Sequence, residues 1–239
     1  MLQSIPKIVS LIGARGGSQG IKNKNIIDVG GQPLISYPIL DSLRCSYIEE
    51  TYVSTDCEEI ASIAKEFGAN VPFIRPKEYA SDTATDYDYF KHFISWFYIT
   101  YDEYPLYIIH LRPTTPIRNK EYLENAIEKI IAYPHSTSLR SVEELNECSY
   151  KMFKLGQEGL YLEGLYEDYK GIKDYSNLPR QQFPKEYKPN GYIDIIKPKC
   201  MLESSSLHGN KILSYITPKS IEIDTKEDLE YLRFTMSSK

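Results

Sequence analysis

Several features that would settle a protein's class are scarce or missing in this chain. Its 239 residues hold four cysteines, Cys45, Cys57, Cys148 and Cys200, set far apart with no CxxC pair and no histidine at ligand spacing. That pattern supports neither a disulfide framework nor a zinc site and leaves the thiols as buried or inert groups. Long apolar runs are missing too: Lys7 and the glycines that follow bracket only a strand's worth of hydrophobic residues. Neither a signal peptide nor a membrane span is therefore expected, and a reducing cytoplasm fits. No basic surplus exists either. A net charge of -5 and a pI near 5.5 argue against a general nucleic-acid binder, which needs cations to neutralise phosphates. The chain has no GxGxxG and no GK[ST] phosphate motif, no internal repeat and no low-complexity segment.

What it does have is the stretch Ile8 to Asn25, in which a short apolar run empties into a glycine-rich, cationic turn. Ile8, Val9, Leu11 and Ile12 read as a buried parallel strand. Gly13, Gly16, Gly17 and Gly20 free the backbone to bend closely around a ligand, and Arg15, Lys22 and Lys24 bring positive charge to the same place. Cations so crowded repel one another unless an anion joins them, which suits a triphosphate. A flexible turn with solvated lysines is the alternative.

The rest of the chain reads as one α/β domain. Ile26 to Val29 is a short extended piece ending at Gly30-Gly31. Pro33 opens an amphipathic helix reaching Leu43, with Pro38 tolerable only in its first turn. Thr51 to Thr55 is a strand, and Asp56 the expected N-cap of a helix over 58–67. Val71 to Arg75 looks extended. A polar loop follows to Asp86, then an aromatic helix from Tyr87 to Tyr101. Leu106 to Leu111 is a near-continuous apolar run, as for a central strand covered on both faces, and delivers Arg112 to Arg118 at its carboxyl end. A helix over 119–132 and a strand from Thr137 to Val142 come next. Residues 143–188 break into short tyrosine-rich pieces that suggest hairpins and an exposed arm, which is either an oligomer contact or a surface excursion. Asn190 to Ile196 and Ile221 to Asp224 are strand-like, and Thr225 with Asp228 forms the capping box of a last helix. In open parallel sheets ligands gather beyond the carboxyl ends of strands, where the glycine loop, Asp56, the loop after Arg75 and the segment from Arg112 all arrive.

Two further constellations carry chemistry. Glu222 and Asp224 alternate on one face of an extended piece, an oxygen-only pair suited to Mg²⁺; Asp224 could equally just precede the helix cap. Arg180, in Pro179-Arg180-Gln181-Gln182 and followed by Pro189-Asn190-Gly191, could grip a planar carboxylate or be an ordinary surface arginine.

Taken together, ARGGSQGIKNKN, GQPLISYPI, VSTDCEEIASIAKEFGA, PFIRPKEYASDTA, RPTTPIR, LPRQQFP with KPNG, and IEIDTKEDLE resemble the CMP-sialic acid synthetase (acylneuraminate cytidylyltransferase) family, from about Ile8 to Leu232. The resemblance implies a three-layer α/β/α Rossmann-like nucleotidyltransferase with a mostly parallel sheet, as a single domain over 1–239 with an arm-like excursion at about 143–180 that joins a homodimer. It implies CTP, a 2-keto sugar acid and Mg²⁺, and transfer of CMP to the acid's anomeric hydroxyl with loss of pyrophosphate. By motif position Arg15, Lys24 and Asp224 are catalytic. Arg15, Gly16, Gly17, Lys24, Asn25, Arg75, Ser81, Asp82 and Thr83 hold the nucleotide. Arg112, Arg180, Asn190 and Asp194 meet the acceptor, and Asp224 with Glu222 holds the metal. The chain departs from the sialic acid enzymes on the acceptor side: Arg112 replaces glutamine in QPTSPLR, Asp194 replaces tyrosine in NGAIYI, and Ser205 and Ser206 stand near the place of an aromatic pair. A differently substituted acid is thus equally open, legionaminic, pseudaminic or another ulosonic acid. So are a nucleotidyltransferase for a phosphorylated or other small acidic acceptor and a nucleotide-binding domain without chemistry.

Overall fold

The computed structural model describes residues 5–17 and 20–237. In chain order the strands and helices are β1 (Ile8–Gly13), β2 (Asp28–Val29), β3 (Gln32–Pro33), α1 (Ser36–Arg44), β4 (Glu50–Ser54), α2 (Glu58–Glu66), α3 (Asp86–Tyr101), β5 (Tyr107–His110), α4 (Lys120–Ala132), β6 (Ser138–Glu144), β7 (Phe153–Leu155), β8 (Leu162–Gly164), β9 (Tyr187–Ile196), α5 (Pro198–Ser204), β10 (Ile212–Ile216) and α6 (Lys226–Ser237). Six strands form one sheet in the order β10-β6-β9-β5-β1-β4. β1 runs parallel to β4 and β5, and β9 antiparallel to β5.

Strand alternation builds two cores, one on each face of the sheet. Ile12, Val53 and Ile109 point to one side and pack with Ile39 of α1, Ile60 of α2 and Ile127 of α4. Val9, Leu11 and Ile108 point to the other and pack with Phe90, Phe93 and Phe97 of α3 and Met201 of α5. The result is an α/β/α sandwich. Pro38 is the third residue of α1, inside the first turn, so no helical hydrogen bond is lost. Gly30 and Gly31, at φ 62° and 86°, make the turn of the β2-β3 hairpin.

By compactness the chain separates into 5–141 with 190–237 and, separately, 142–189. The smaller unit holds the β7-β8 hairpin and an aromatic cluster in which Tyr150 stacks on Phe183 at 5.0 Å. Leu155, Leu160, Tyr161 and Leu162 are each about two-thirds to three-quarters exposed on it.

Four local expectations need correction. Pro33 does not open the first helix: it lies in β3, and α1 begins at Ser36. Ile221 to Asp224 is not a strand, and it is held by Ile223 donating to the Thr114 carbonyl at 2.8 Å. Asp56 does not cap α2: Cys57 is the N-cap residue and has no side-chain bond, while the Asp56 carboxylate accepts from the Gly16 amide at 2.9 Å. α5 and β10 occupy residues left unassigned by pattern. The capping boxes behave as their residue types dictate, Thr225 with Asp228 at α6 and Thr85 with Asp88 at α3.

Phe93 is fully buried and meets Tyr52, Trp96 and Phe97 at centroid distances of 5.2, 5.8 and 5.9 Å. Phe93→Ala is expected to cost about 3–5 kcal/mol of unfolding free energy, read from urea titrations.

Candidate active site

A cleft of about 530 Å³ opens beyond the carboxyl ends of β1 and β5. One wall is the glycine-rich loop. Its path is set by backbone demands: Asn23 adopts the left-handed region at φ 54°, and a Cβ on Gly20 would collide with the Asp224 carbonyl oxygen. Buried Asn25 donates to the Arg15 carbonyl at 2.9 Å, tying the two ends of the loop together. Two of its cations, Arg15 and Lys24, then meet different carboxylates. Arg15 NH1 donates to the Ser81 carbonyl at 3.0 Å and to Asp82 Oδ1 at 3.1 Å. Lys24 Nζ donates to the Ile223 carbonyl at 2.9 Å and to Asp224 Oδ1 at 3.0 Å.

The floor is polar and buried. Arg75, 5% exposed, bonds the Ser54 hydroxyl and carbonyl, reaches the Tyr79 carbonyl at 3.4 Å and lies 4.5 Å over the Tyr89 ring. Desolvation lowers its pKa from the ordinary value. Its guanidinium thus anchors the turn carrying Ser81, Asp82 and Thr83. Tyr89 OH in turn pairs with His110 Nε2 at 2.7 Å, and its ring leaves room for only a glycine at position 13.

The inner end centres on Arg112, whose NH1 donates to Asp194 Oδ2 at 2.8 Å and NH2 to Asp86 Oδ2 at 2.9 Å. Burial alone would lower the Arg112 pKa; Asp194 and Asp86 outweigh it and raise the pKa above the ordinary value. Arg118, its side chain 1% exposed, braces this end, donating to the carbonyls of Tyr192 at 2.7 Å and Arg112 at 2.8 Å.

Of the residues named from sequence, Arg15, Lys24, Asn25, Arg75, Ser81, Asp82, Arg112 and Asp224 line this cleft. Gly16, Gly17 and Thr83 stand beside it in the loops without lining it. Asp194 is 1% exposed and lies behind Arg112; Asn190 is 3% exposed and spends its amide on Thr217 Oγ1 at 2.7 Å. Both are buried polar partners instead of surface groups. Glu222 and Asp224 flank buried Ile223 as alternation requires, yet they meet different neighbours: Asp224 meets Lys24, while Glu222 Oε1 lies 3.9 Å from the Cβ position of Gly191. Arg180 belongs to the 142–189 unit, where its NH2 donates to the Leu145 carbonyl at 3.2 Å. The sequence reading missed Asp86, Tyr89 and His110. A histidine inside the apolar run LYIIHL was a usable signal, because a buried polar group needs a partner.

Residues 9–152 match the family model described as Cytidylyltransferase. The chain belongs to the cytidylyltransferase family. It is 31% identical over 239 residues to an N-acylneuraminate cytidylyltransferase of Escherichia coli, an alignment covering 98% of this chain but 52% of that protein. It is 30% identical over 231 residues to a pseudaminic acid cytidylyltransferase of Campylobacter jejuni, with 95% of each covered, and 31% identical over 232 residues to a CMP-N,N'-diacetyllegionaminic acid synthase of Legionella pneumophila, with 93% of each. The chain therefore spans about half the length of the first relative and nearly all of the other two. In fold it is similar to a CMP:2-keto-3-deoxy-manno-octonic acid synthetase solved in complex with CTP, with a TM-score of 0.71 at 17% identity over 97% of this chain and 99% of that one. No helix among the described residues is long and apolar enough to cross a membrane.

In this member of the cytidylyltransferase family the donors available to a metal are sparse and oxygen-only. The Asp224 side chain is 65% exposed, lines the cleft and keeps Oδ2 outside its ion pair with Lys24. Among the described residues no three His, Cys, Asp or Glu side chains gather to cage an ion. Such a site fits Mg²⁺, which takes one or two carboxylates and completes its shell with water and phosphate oxygens, and does not fit a caged transition metal.

His110 gives a pH prediction. Burial lowers its pKa from 6.5 to about 3, so between those values the unfolded chain binds a proton that the folded chain does not. Stability should fall as pH drops from 6.5 toward 3. Urea titrations at stepped pH should show a shallower decline for His110→Gln than for the wild type.

Proposed function

We propose that this chain transfers CMP from CTP to the anomeric 2-hydroxyl of a sialic-acid-like 2-keto sugar acid and releases pyrophosphate. The observation that carries this reading is the convergence of Arg15, Lys24 and Asp224 on one cleft in a member of the cytidylyltransferase family. Relatives named for N-acylneuraminate, pseudaminic acid and N,N'-diacetyllegionaminic acid support a nonulosonic acid as acceptor and favour none of the three.

Lys24 carries three N–H donors and uses two on Ile223 and Asp224, so the third is available to a phosphate oxygen. Arg15 spends NH1 on Ser81 and Asp82 and retains its other N–H groups for the same purpose. These two cations, held before the substrate arrives, stabilise charge that builds on the departing pyrophosphate. Asn25 and the glycines shape the loop, and Arg75 fixes the Ser81–Thr83 turn along the cytidine. The acceptor hydroxyl attacks the α-phosphorus directly, with no covalent enzyme intermediate. Asp224, with Glu222 as a second candidate, would hold Mg²⁺, which when bound neutralises phosphoryl oxygens and acidifies a coordinated hydroxyl. We further propose a homodimer joined by the exposed apolar hairpin of the 142–189 unit, acting in the cytoplasm.

Pyrophosphate release should be measured with each nucleoside triphosphate against a panel of nonulosonic and octulosonic acids and phosphorylated sugars. Turnover is expected with CTP and a 2-keto acid; turnover only with phosphorylated acceptors, or none with any keto acid, sinks the reading. Asp224→Ala should lower kcat by about a hundredfold while barely moving the thermal midpoint, since the removed charge faces the reacting phosphate from an exposed position.

A further inference from the structure

The inner end of the cleft has an uneven supply of hydrogen-bonding groups. Arg112 is flanked by two carboxylates, and Arg140 Nε stands 3.7 Å from the remaining oxygen of Asp194. Two aspartates and two arginines leave no surplus positive charge, so a ligand carboxylate entering here meets Asp86 before it meets a free cation. Asp86 is the outward member of the set. Its side chain is 42% exposed and lines the cleft, Oδ2 is held by Arg112, and Oδ1 has no partner among the described residues.

A second, independent observation lies beside it. His110 is 2% exposed and also lines the cleft; its Nε2 is held by Tyr89, while its Nδ1 has no hydrogen-bond partner among the described residues. A buried polar atom without a partner is costly, and one in a cleft wall is satisfied when a ligand group or water fills the place. The imidazole is neutral at physiological pH, because burial holds its pKa at about 3. Depending on which nitrogen carries the proton, Nδ1 gives or receives a hydrogen bond, and a hydroxyl can answer either.

We propose that Asp86 and His110 together read a neutral hydrogen-bonding substituent of the acceptor, a hydroxyl or an amide N–H, and that Arg112 positions Asp86 instead of gripping the acceptor's carboxylate. This rests on the reading of the chain as a sugar-acid cytidylyltransferase. It assigns selectivity by charge: a donor-bearing, uncharged substituent enters, and a phosphate or second carboxylate at that point is repelled. The sugar acid's own carboxylate then binds elsewhere in the site.

The test compares wild type with Asp86→Asn. Acceptor KM and kcat are read from pyrophosphate release, with nonulosonic acids and analogues lacking one hydroxyl or acylamino group at a time; CTP affinity is read alone by calorimetry. The fold does not rest on Asp86, since Thr85 and Asp88 carry the cap of α3, and thermal unfolding verifies this. Acceptor KM should rise about tenfold or more, CTP affinity should stay within about twofold, and one deoxy analogue should lose its disadvantage in the variant. Arg112→Lys keeps the charge facing Asp194 and loses the fork; it should raise acceptor KM alone yet add less than about twofold in the Asp86→Asn background. An acceptor KM in Asp86→Asn within about twofold of wild type, an equal weakening of CTP, or additive losses in the double variant overturns the proposal. Wild-type turnover with an unaffected Asp86→Asn overturns this inference alone, whereas a wild type inactive with every sugar acid overturns it together with the function proposed above.

Discussion

One side chain, Lys24, ties together two segments of the site that lie near opposite ends of the chain. Lys24, with only 14% of its side chain exposed, donates to the Ile223 carbonyl and to the Asp224 carboxylate, a partner 200 residues away. The segment from Ile221 to Asp224 has no strand pairing to place it. Its position comes from this lysine, from the Ile223 amide on Thr114, and from Ile223, Leu229 and Leu232 packing with Ile21, Val29 and Leu34. Close approach is what makes the lysine effective, and close approach is why position 20 must be glycine: the Asp224 carbonyl occupies the space of a Cβ. Loop and apolar cluster therefore pack as one arrangement, with the exposed Asp224 carboxylate at its edge.

Beneath the cleft the molecule accepts a polar interior that a plain sandwich would avoid. Arg75, Tyr89 and His110 are all at or below 5% exposure. The cost of burying them is offset by mutual satisfaction: Ser54 takes the guanidinium, the Tyr89 ring faces it, and the phenol meets the imidazole. This stack connects the end of β4 to the end of β5 and stiffens the floor from which the Ser81 turn and Asp86 project. Rigid support of this kind is what a reacting geometry requires, because small misplacements are expensive in rate.

Legibility in the sequence follows the range of the interactions involved. β1, β5, α4 and the capping box of α6 were visible because their signals are local: an apolar run, a three-and-four spacing, a threonine three residues ahead of an aspartate. The loop cations were visible because they crowd together. Asp56 misled, since a carboxylate ahead of a helix looks like a cap and only the fold reveals that Gly16 claims it. β10 escaped because its outward Ile212 and Ile216 are exposed at the sheet edge, so its pattern does not read as half-buried. Arg112 and Asp194 were both noticed, but as separate additions to a pocket. That they are 82 residues apart in sequence and bonded at 2.8 Å is a property of the pairing of β5 with β9, which sets His110 opposite Asp194.

The same contrast separates the two halves of the proposed reaction. A triphosphate is recognised by charge density, and charge density can be supplied by a few neighbouring residues on one loop. An acceptor with several hydroxyl and acyl substituents must be recognised by where donors and acceptors stand, and here those positions are set by an ion relay across β5, β9 and α3. A relay whose charges cancel exerts little long-range attraction, so its information lies in geometry. Replacing one partner, such as Asp194 behind Arg112, would move the outward carboxylate of Asp86 without touching Arg15, Lys24 or Asp224. On the proposed reaction, donor use and acceptor choice would thus vary independently on this fold: the loop would constrain which phosphate is grasped, and the relay what receives it.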